Sequence, residues 1–344
     1  MAKEFTGLDD STIIGSVIKN KNDILKFSVS RDKPNKNRGY TIVPITLSGS
    51  KKEYKLIEKT FSRNEKELFM FELISQYSSL LAEVYHIDFR RKIILMEDLN
   101  DGYFPGFHFN DENEYGITFR KNHKSILGSI AQFHALFWEN YEVFSKIGLD
   151  KRLESKENLT GFINAMENDF IKYSKNEKTG KVPKIWNGLE NNIELNKLDY
   201  FPKAIELLNQ EYIKYIDTRY NSGKNITIIH GDLHPGNIFV SKRSGKSIKF
   251  IDLEAVRMGI CTEDLAMFLA LHVEPDVKSA KPLLKHYYSC LCETVKDYSY
   301  DNFMNDYKIS VMENMFYPMK LMNRGIYDFD MRDRAIKTFE TMIL

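Results

Sequence analysis

The chain has 344 residues, 42% of them hydrophobic, which is enough to bury a sizeable core and to build two domains or one large two-lobed domain. Its 49 Lys and Arg stand against 48 Asp and Glu, so no global field favours nucleic acid or an anionic membrane, and any polyanion must be met locally. No stretch approaches the length of a membrane span and Met1 to Gly7 lacks the apolar run of a signal peptide, which predicts a cytoplasmic protein without a membrane partner. In chain order, Thr12 to Ile18, Ile24 to Ser30, Tyr40 to Leu47 and Glu53 to Phe61 are short and rich in Ile, Val, Thr and Tyr, and predict an antiparallel meander. Ser62-Arg63-Asn64-Glu65 has capping-box form, and Leu68, Phe71, Ile74, Leu80 and Leu81 predict an amphipathic helix behind it. Ile87 to Phe89 and Lys92 to Met96 read as a strand pair turning at Arg90-Arg91. Glu97 to Gly102 then breaks the pattern, and the boundary between an N-terminal lobe, 1–99, and a C-terminal lobe, 100–344, is placed there.

Beyond that boundary the pattern turns helical. His123 to Tyr141 places Leu127, Ile130, Ala131, His134, Ala135 and Trp138 on one face, and His134 reads as a core histidine rather than a ligand. Short apolar runs, Ile226 to Ile229 and Ile238 to Val240, bound a loop, and Ser247 to Asp252 reads as a further strand. Thr262 is expected to cap a helix with Glu263 and Asp264 in its first turn, and Lys281 to Leu344 reads as more helices. Cys261, Cys290 and Cys292 are an odd set without metal-ligand spacing and read as reduced, buried and idle.

The loop is His230-Gly231-Asp232-Leu233-His234-Pro235-Gly236-Asn237. An Asp five residues before an Asn, followed by a strand ending in Asp252, is the spacing of a kinase catalytic loop and its metal-binding carboxylate. Phosphoryl transfer needs a group that takes the proton of the acceptor hydroxyl, here Asp232. It also needs hard oxygen donors for magnesium, here Asn237 and Asp252. His230 and His234 beside Asp232 admit a rival reading, a transition-metal phosphohydrolase.

Four segments carry a wider resemblance: Glu53 to Phe61; Ile94 to Tyr103; His230 to Phe239; and Phe250 to Glu254 with Glu263 to Ala266, supported by Ala131 to Leu136. In these the chain resembles the aminoglycoside phosphotransferase and choline kinase superfamily, with the ecdysteroid-kinase-like branch nearest in character. The resemblance implies an α+β, bilobal protein-kinase-like fold, with an antiparallel sheet lobe ending in a hinge and a larger helical lobe holding the catalytic loop and acceptor pocket. It implies ATP or GTP as phosphate donor and Mg2+ as cofactor. It places an ammonium on the nucleotide phosphates, Lys59 with Lys55 as competitor, oriented by Glu67 in the next helix, with Glu65 and Glu72 as alternatives. Met96, Glu97, Asp98 and Leu99 become the hinge whose backbone reads the nucleobase. Asp264 becomes the buttress of the catalytic loop and His230 a structural prop of it.

The segment expected to cradle phosphates, Ser30 to Gly39, holds one glycine and four cations, and serves either the phosphates or an ordinary solvated hairpin. Arg257 pairs with a phosphate or with Glu254. No activation segment follows Asp252, which favours a small-molecule hydroxyl acceptor over a protein. The acceptor is expected between the Asp232 loop and the helices after Lys281, near Tyr287, Tyr288, Tyr298, Tyr307, Phe316, Tyr317 and Tyr327. Choline-like amines, aminoglycosides and other antibiotics, sugars and sterol-like alcohols stay open, as do a nucleotide-binding module without turnover and the oligomeric state.

Overall fold

Asp9 decides the first element. Its carboxylate accepts the Thr12 N–H at 2.9 Å, and residues Asp10–Val17 form helix α1 in place of the expected strand. Ile13 and Val17, four apart, are the buried pair. A cap and a helical burial spacing thus override β-branched composition. The structure, a computed structural model, describes residues 7–18, 27–36, 40–49, 52–62, 66–75, 79–106, 122–147, 155–186, 188–191, 193, 195–215, 222–244, 246–271 and 277–344. After α1 come β1 (Phe27–Arg31), β2 (Asn35–Lys36), β3 (Tyr40–Gly49), β4 (Glu53–Phe61), α2 (Lys66–Ser75), β5 (Val84–Asp88), β6 (Ile93–Glu97), α3 (Leu99–Gly102) and β7 (Tyr103–Pro105). The next stretch holds α4 (His123–Leu136), α5 (Tyr141–Ile147), α6 (Lys156–Lys178), β8 (Ile185–Trp186), β9 (Leu189–Glu190) and α7 (Tyr200–Tyr215). Then follow β10 (Thr227–Ile229), β11 (Ile238–Ser241), β12 (Ile248–Phe250), β13 (Arg257–Gly259), α8 (Cys261–Leu265), α9 (Val277–Leu291), α10 (Tyr300–Asn314), α11 (Phe316–Met322) and α12 (Phe329–Met342).

Contacts divide the chain into two units, 1–106 with 236–255, and 107–235 with 256–344. The first unit is a sheet in the order β1-β3-β4-β6-β5, with β2 beside β3, all antiparallel. Alternation along β4 sends Leu56 and Glu58 to the α1 side, where Glu58 accepts the Leu8 N–H at 2.9 Å. Lys59, two residues past Ile57, therefore faces the other way. A core of Ile13, Val17, Val43, Ile45, Leu47, Leu56, Ile93 and Leu95 lies between α1 and the sheet. Helix α2 buries Leu68, Phe71 and Ile74 as its spacing predicts, while Leu80 and Leu81 lie beyond it and Leu81 bridges Phe250. Arg63 to Glu65 of the expected capping box lie outside the described residues. A three-stranded antiparallel sheet, β12-β11-β7, completes the unit.

The second unit is helical, apart from the two-stranded pairs β10–β13 and β8–β9. The helix expected over His123 to Tyr141 is split: α4 stops at Leu136, Glu139 turns with positive φ, and its N–H donates to the Ile226 carbonyl at 2.9 Å. Thr262 does not cap α8. The Ile260 N–H is taken by the Glu263 carboxylate at 3.0 Å, and the Thr262 hydroxyl meets Ser310 at 2.9 Å inside the core. Cys261 is buried as expected, but Cys290 and Cys292 are half-buried; all three are free thiols. No helix among the described residues is long and apolar enough to cross a membrane.

Candidate active site

In the first unit β4 carries Lys59 into a cavity of about 210 Å3. Its Nζ lies 2.7 Å from each carboxylate oxygen of Glu67 on α2, and 4.4 and 4.9 Å from the ring centres of Tyr40 and Phe61. A carboxylate and two aromatic faces thus hold the buried ammonium in place. Burial raises Glu67 above the usual carboxylate range, with Asp252 and Glu254 adding to the rise and Lys59 opposing it. Asp252 lines the same cavity, as do Ile42, Ile57, Met96, Leu99 and Phe239, so one end is charged and the rest is an apolar slot. Lys55, the competing lysine, is drawn off by Glu53 at 2.7 Å, and Glu72 is exposed; Glu65 lies outside the described residues.

Asn237 and Asp252 flank the β11–β12 hairpin, where Ile238 pairs with Phe250 and the Ile251 N–H donates to the Asn237 carbonyl at 3.1 Å. Asp252 has φ 62°, in the left-handed region that Asp tolerates better than most side chains. One amide oxygen and one carboxylate form a hard, sparse donor set that fits magnesium, which keeps several waters. Of the expected hinge, Met96, Glu97 and Leu99 line the cavity and Asp98 does not. The Asp98 carboxylate caps the Asn100 N–H at 3.0 Å, and the Glu97 carboxylate is taken by Lys249 and the Glu83 N–H. In the segment expected to cradle phosphates, Arg31 pairs with Asp10 at 2.6 Å, and residues 37–39 lie outside the described ones.

In the second unit β10 ends at Ile229 and the chain turns through Gly231, whose φ of 78° suits glycine. Asp264 holds this turn from behind: it accepts the His230 N–H at 2.7 Å and the Gly231 N–H at 2.9 Å. His134 Nε2 lies 3.0 Å from the same carboxylate, and its Nδ1 2.7 Å from the Tyr287 hydroxyl. Burial by itself would raise Asp264, but the hydrogen bond and charge interaction with His134, the neighbouring His230 and the Gly231 N–H hold it below the usual carboxylate range. His134 is thus a satisfied core histidine, and Asp264 is the buttress of the loop. The Asp232 side chain remains 34% exposed, with His234 Nε2 3.8 Å from its carboxylate. Among the described residues no group of three or more His, Cys, Asp or Glu gathers to hold a metal ion.

Beside this loop lies a cavity of about 340 Å3 lined by Gly231, Phe162, Met166, Met267, Phe316 and Tyr317, with Asp169, Glu313, Asn314 and Lys320 as its other polar groups beyond Arg257, Glu263 and Asp264. Burial and the nearby Asp232 carboxylate push the Tyr317 hydroxyl up to about 12. Of the aromatics expected here, only Phe316 and Tyr317 are in the lining. Tyr287, Tyr298 and Tyr307 are buried in the core, Tyr288 stacks among them, and Tyr327 packs on Trp186. Arg257 pairs with Glu263 at 2.6 Å. The contribution of α6 was not anticipated, although Phe162, Ala165, Met166 and Asp169 repeat at the three-four spacing of one helical face.

These features define a protein-kinase-like fold of the kind small-molecule kinases share. The chain belongs to the ecdysteroid kinase-like family, whose profile matches residues 46–300. A choline kinase from Cryptosporidium parvum aligns over 97% of this chain and 94% of its own, at 14% identity and a TM-score of 0.54. A Ralstonia eutropha protein assigned as an aminoglycoside phosphotransferase aligns over 92% of both chains at 11% identity and a TM-score of 0.53. The choline kinase LicA of Streptococcus pneumoniae aligns over 92% of this chain and 95% of its own, at 16% identity and a TM-score of 0.47. At such identities the likeness is one of fold. No curated protein sequence matches the chain.

Proposed function

We propose that the protein transfers the γ-phosphate of ATP or GTP to a hydroxyl of a small-molecule acceptor. The observation that carries this reading is the buried Lys59–Glu67 pair in one cavity with Asp252 and the backbone of Met96, Glu97 and Leu99. In it Lys59 meets the nucleotide phosphates, Glu67 orients Lys59, and the apolar slot takes the base. Asn237 and Asp252 hold magnesium, which when bound supplies positive charge to the phosphate oxygens. Asp232 accepts the proton of the acceptor hydroxyl as the new O–P bond forms and the bond from the γ-phosphorus to the bridging oxygen breaks, leaving the nucleoside diphosphate. Asp264 fixes the backbone of that loop and His134 fixes Asp264.

The cavity beside Gly231 suits an acceptor with an apolar body. Its walls are aromatic and methionine, and three of its four carboxylates are already engaged: Glu263 by Arg257, Asp264 by the loop and Glu313 by Tyr212. Asp169 is the fourth, and a single carboxylate is too few for a polycationic aminoglycoside. The test is a mass-spectrometric screen of small hydroxyl compounds with magnesium and either ATP or GTP, on the wild type and Asp232→Asn. A phosphate-mass adduct made by the wild type alone is expected. Equal turnover by Asp232→Asn would remove Asp232 as the base. In parallel, Asp252→Ala should weaken nucleotide binding in magnesium and not in EDTA.

A further inference from the structure

In the helical unit the Tyr212 hydroxyl meets the Glu313 carboxylate, Tyr298 donates to Asp306 at 2.6 Å, Tyr288 donates to the Tyr298 carbonyl at 2.7 Å, and Tyr287 lies 2.7 Å from His134 Nδ1. Burial of a phenol calls for such a partner. Tyr317 on α11 differs. Its ring packs against the cluster of Met267, Leu271, Met331 and Ala335, so the aromatic body is fixed, yet its hydroxyl makes no hydrogen bond to any described residue. Phenylalanine would meet the packing alone, without a polar atom to satisfy.

That hydroxyl belongs to the cavity beside the catalytic loop. Tyr317 and Gly231 line the same space of about 340 Å3, and Asp232 follows Gly231 in the chain with its side chain 34% exposed. Burial and the Asp232 carboxylate push the hydroxyl up to about 12, with Arg324 opposing, so it stays a donor across the neutral range. The carboxylate therefore acts on Tyr317 by charge and not through a hydrogen bond. A polar group of a ligand fits between the two. Phe162, Met166, Met267 and Phe316 contribute apolar wall to the same cavity.

We propose that Tyr317 is a substrate-binding residue that clamps the acceptor hydroxyl jointly with Asp232: the acceptor O–H donates to the carboxylate, and its oxygen accepts from the phenol. The clamp rests on the kinase reading for the role of Asp232. An alcohol oxygen carries one proton and two lone pairs. With one lone pair on Tyr317, the other forms the bond to phosphorus. The proton passes to Asp232 as the bond from the γ-phosphorus to the bridging oxygen breaks, and Tyr317 keeps its own proton. An ammonium has no lone pair to accept from Tyr317, so the clamp selects an alcohol with an apolar body over an amine as the group that is phosphorylated.

The test is nuclear magnetic resonance of the full-length protein with isotope-labelled methionine methyl groups, titrated with phenethyl alcohol, its methyl ether or ethylbenzene. The Met166 and Met267 signals report binding in the cavity, because both side chains line it. The ether can accept from Tyr317 but has no proton for Asp232, and ethylbenzene can do neither. In the wild type the alcohol is expected to bind about ten-fold tighter than the ether, and the ether about five-fold tighter than ethylbenzene, as a charged and a neutral hydrogen bond would give. Tyr317→Phe should bring the ether level with ethylbenzene, and Asp232→Ala should bring the alcohol level with the ether. Unchanged urea midpoints show that both variants fold. No shift of Met166 or Met267 with any of the three compounds, or an ether preference over ethylbenzene that survives Tyr317→Phe, overturns the proposal. The expected binding pattern without a phosphate-mass adduct from magnesium and ATP or GTP would count against transfer and leave the clamp standing.

Discussion

In the first unit Lys59 is itself buried, whereas in the second the buried charges stand behind the loop and the Asp232 carboxylate stays a third exposed. Lys59 and Glu67 are held between a strand and a helix with aromatic rings over the ammonium, so little freedom remains to be lost when an anion arrives. Asp264 spends its hydrogen bonds on two backbone N–H groups and His134, which in turn meets the Tyr287 hydroxyl, while the Asp232 side chain in front keeps a third of its surface exposed. Burial therefore falls on the Lys59–Glu67 pair itself in one unit and on the groups behind the loop in the other. Substitutions should separate the two roles.

The largest loss is expected at Asp264→Ala, which strands two buried N–H groups and His134; about 3–5 kcal/mol should disappear in urea unfolding, and Asp264→Asn, keeping one acceptor, should lose less. A loss below about 1 kcal/mol would show that the loop does not lean on this carboxylate. The Asp264 pKa is lowered in the fold from its ordinary 3.8, so its contribution is full above that value and lost as pH falls through the lower, folded value. Acid unfolding of Asp264→Asn should accordingly depend less steeply on pH below 3.8 than that of the wild type.

Next in size is Glu67→Gln, which leaves Lys59 buried without its counter-charge at about 3 kcal/mol, softened by the flanking rings. Lys59→Met combined with Glu67→Leu should recover most of that stability while nucleotide binding, read by calorimetry, stays absent. Recovery of both would break the comparison by making the pair a packing device. Smallest is Asp232→Asn, expected within about 0.5 kcal/mol of the wild type in the same unfolding measurement, since its side chain is a third exposed and the substitution keeps its shape. A larger shift would make Asp232 a structural residue.

Much of the sheet was legible. β4 spans Glu53–Phe61 as its alternation predicts, and β6 and α2 fall where their apolar periods place them. Lys59 and Glu67, eight residues apart, are read correctly as a pair because each sits at a core-facing position of a regular element. Thr12 to Ile18 misled because composition was weighed above the Asp9 cap, and His123 to Tyr141 because the period does not register a turn at Glu139. The aromatics after Lys281 misled differently: ring content does not distinguish a pocket wall from a core, and Tyr287, Tyr298 and Tyr307 went to the core.

The sequence by itself determined the local elements and the order of chemistry along the chain: a lysine on β4, an acid on α2, then Asp232, Asn237 and Asp252. Periodicity and capping act between residues three or four apart, and loop spacing is written directly in the chain. Only the tertiary structure decided that 236–255 return to the first unit, that Asp98 turns away from the cavity while Met96 and Leu99 face it, and that His134 closes on Asp264 across 130 residues. Those choices are made by packing, because a buried polar group must find whatever partner the folded chain brings within hydrogen-bond reach, at any separation in sequence.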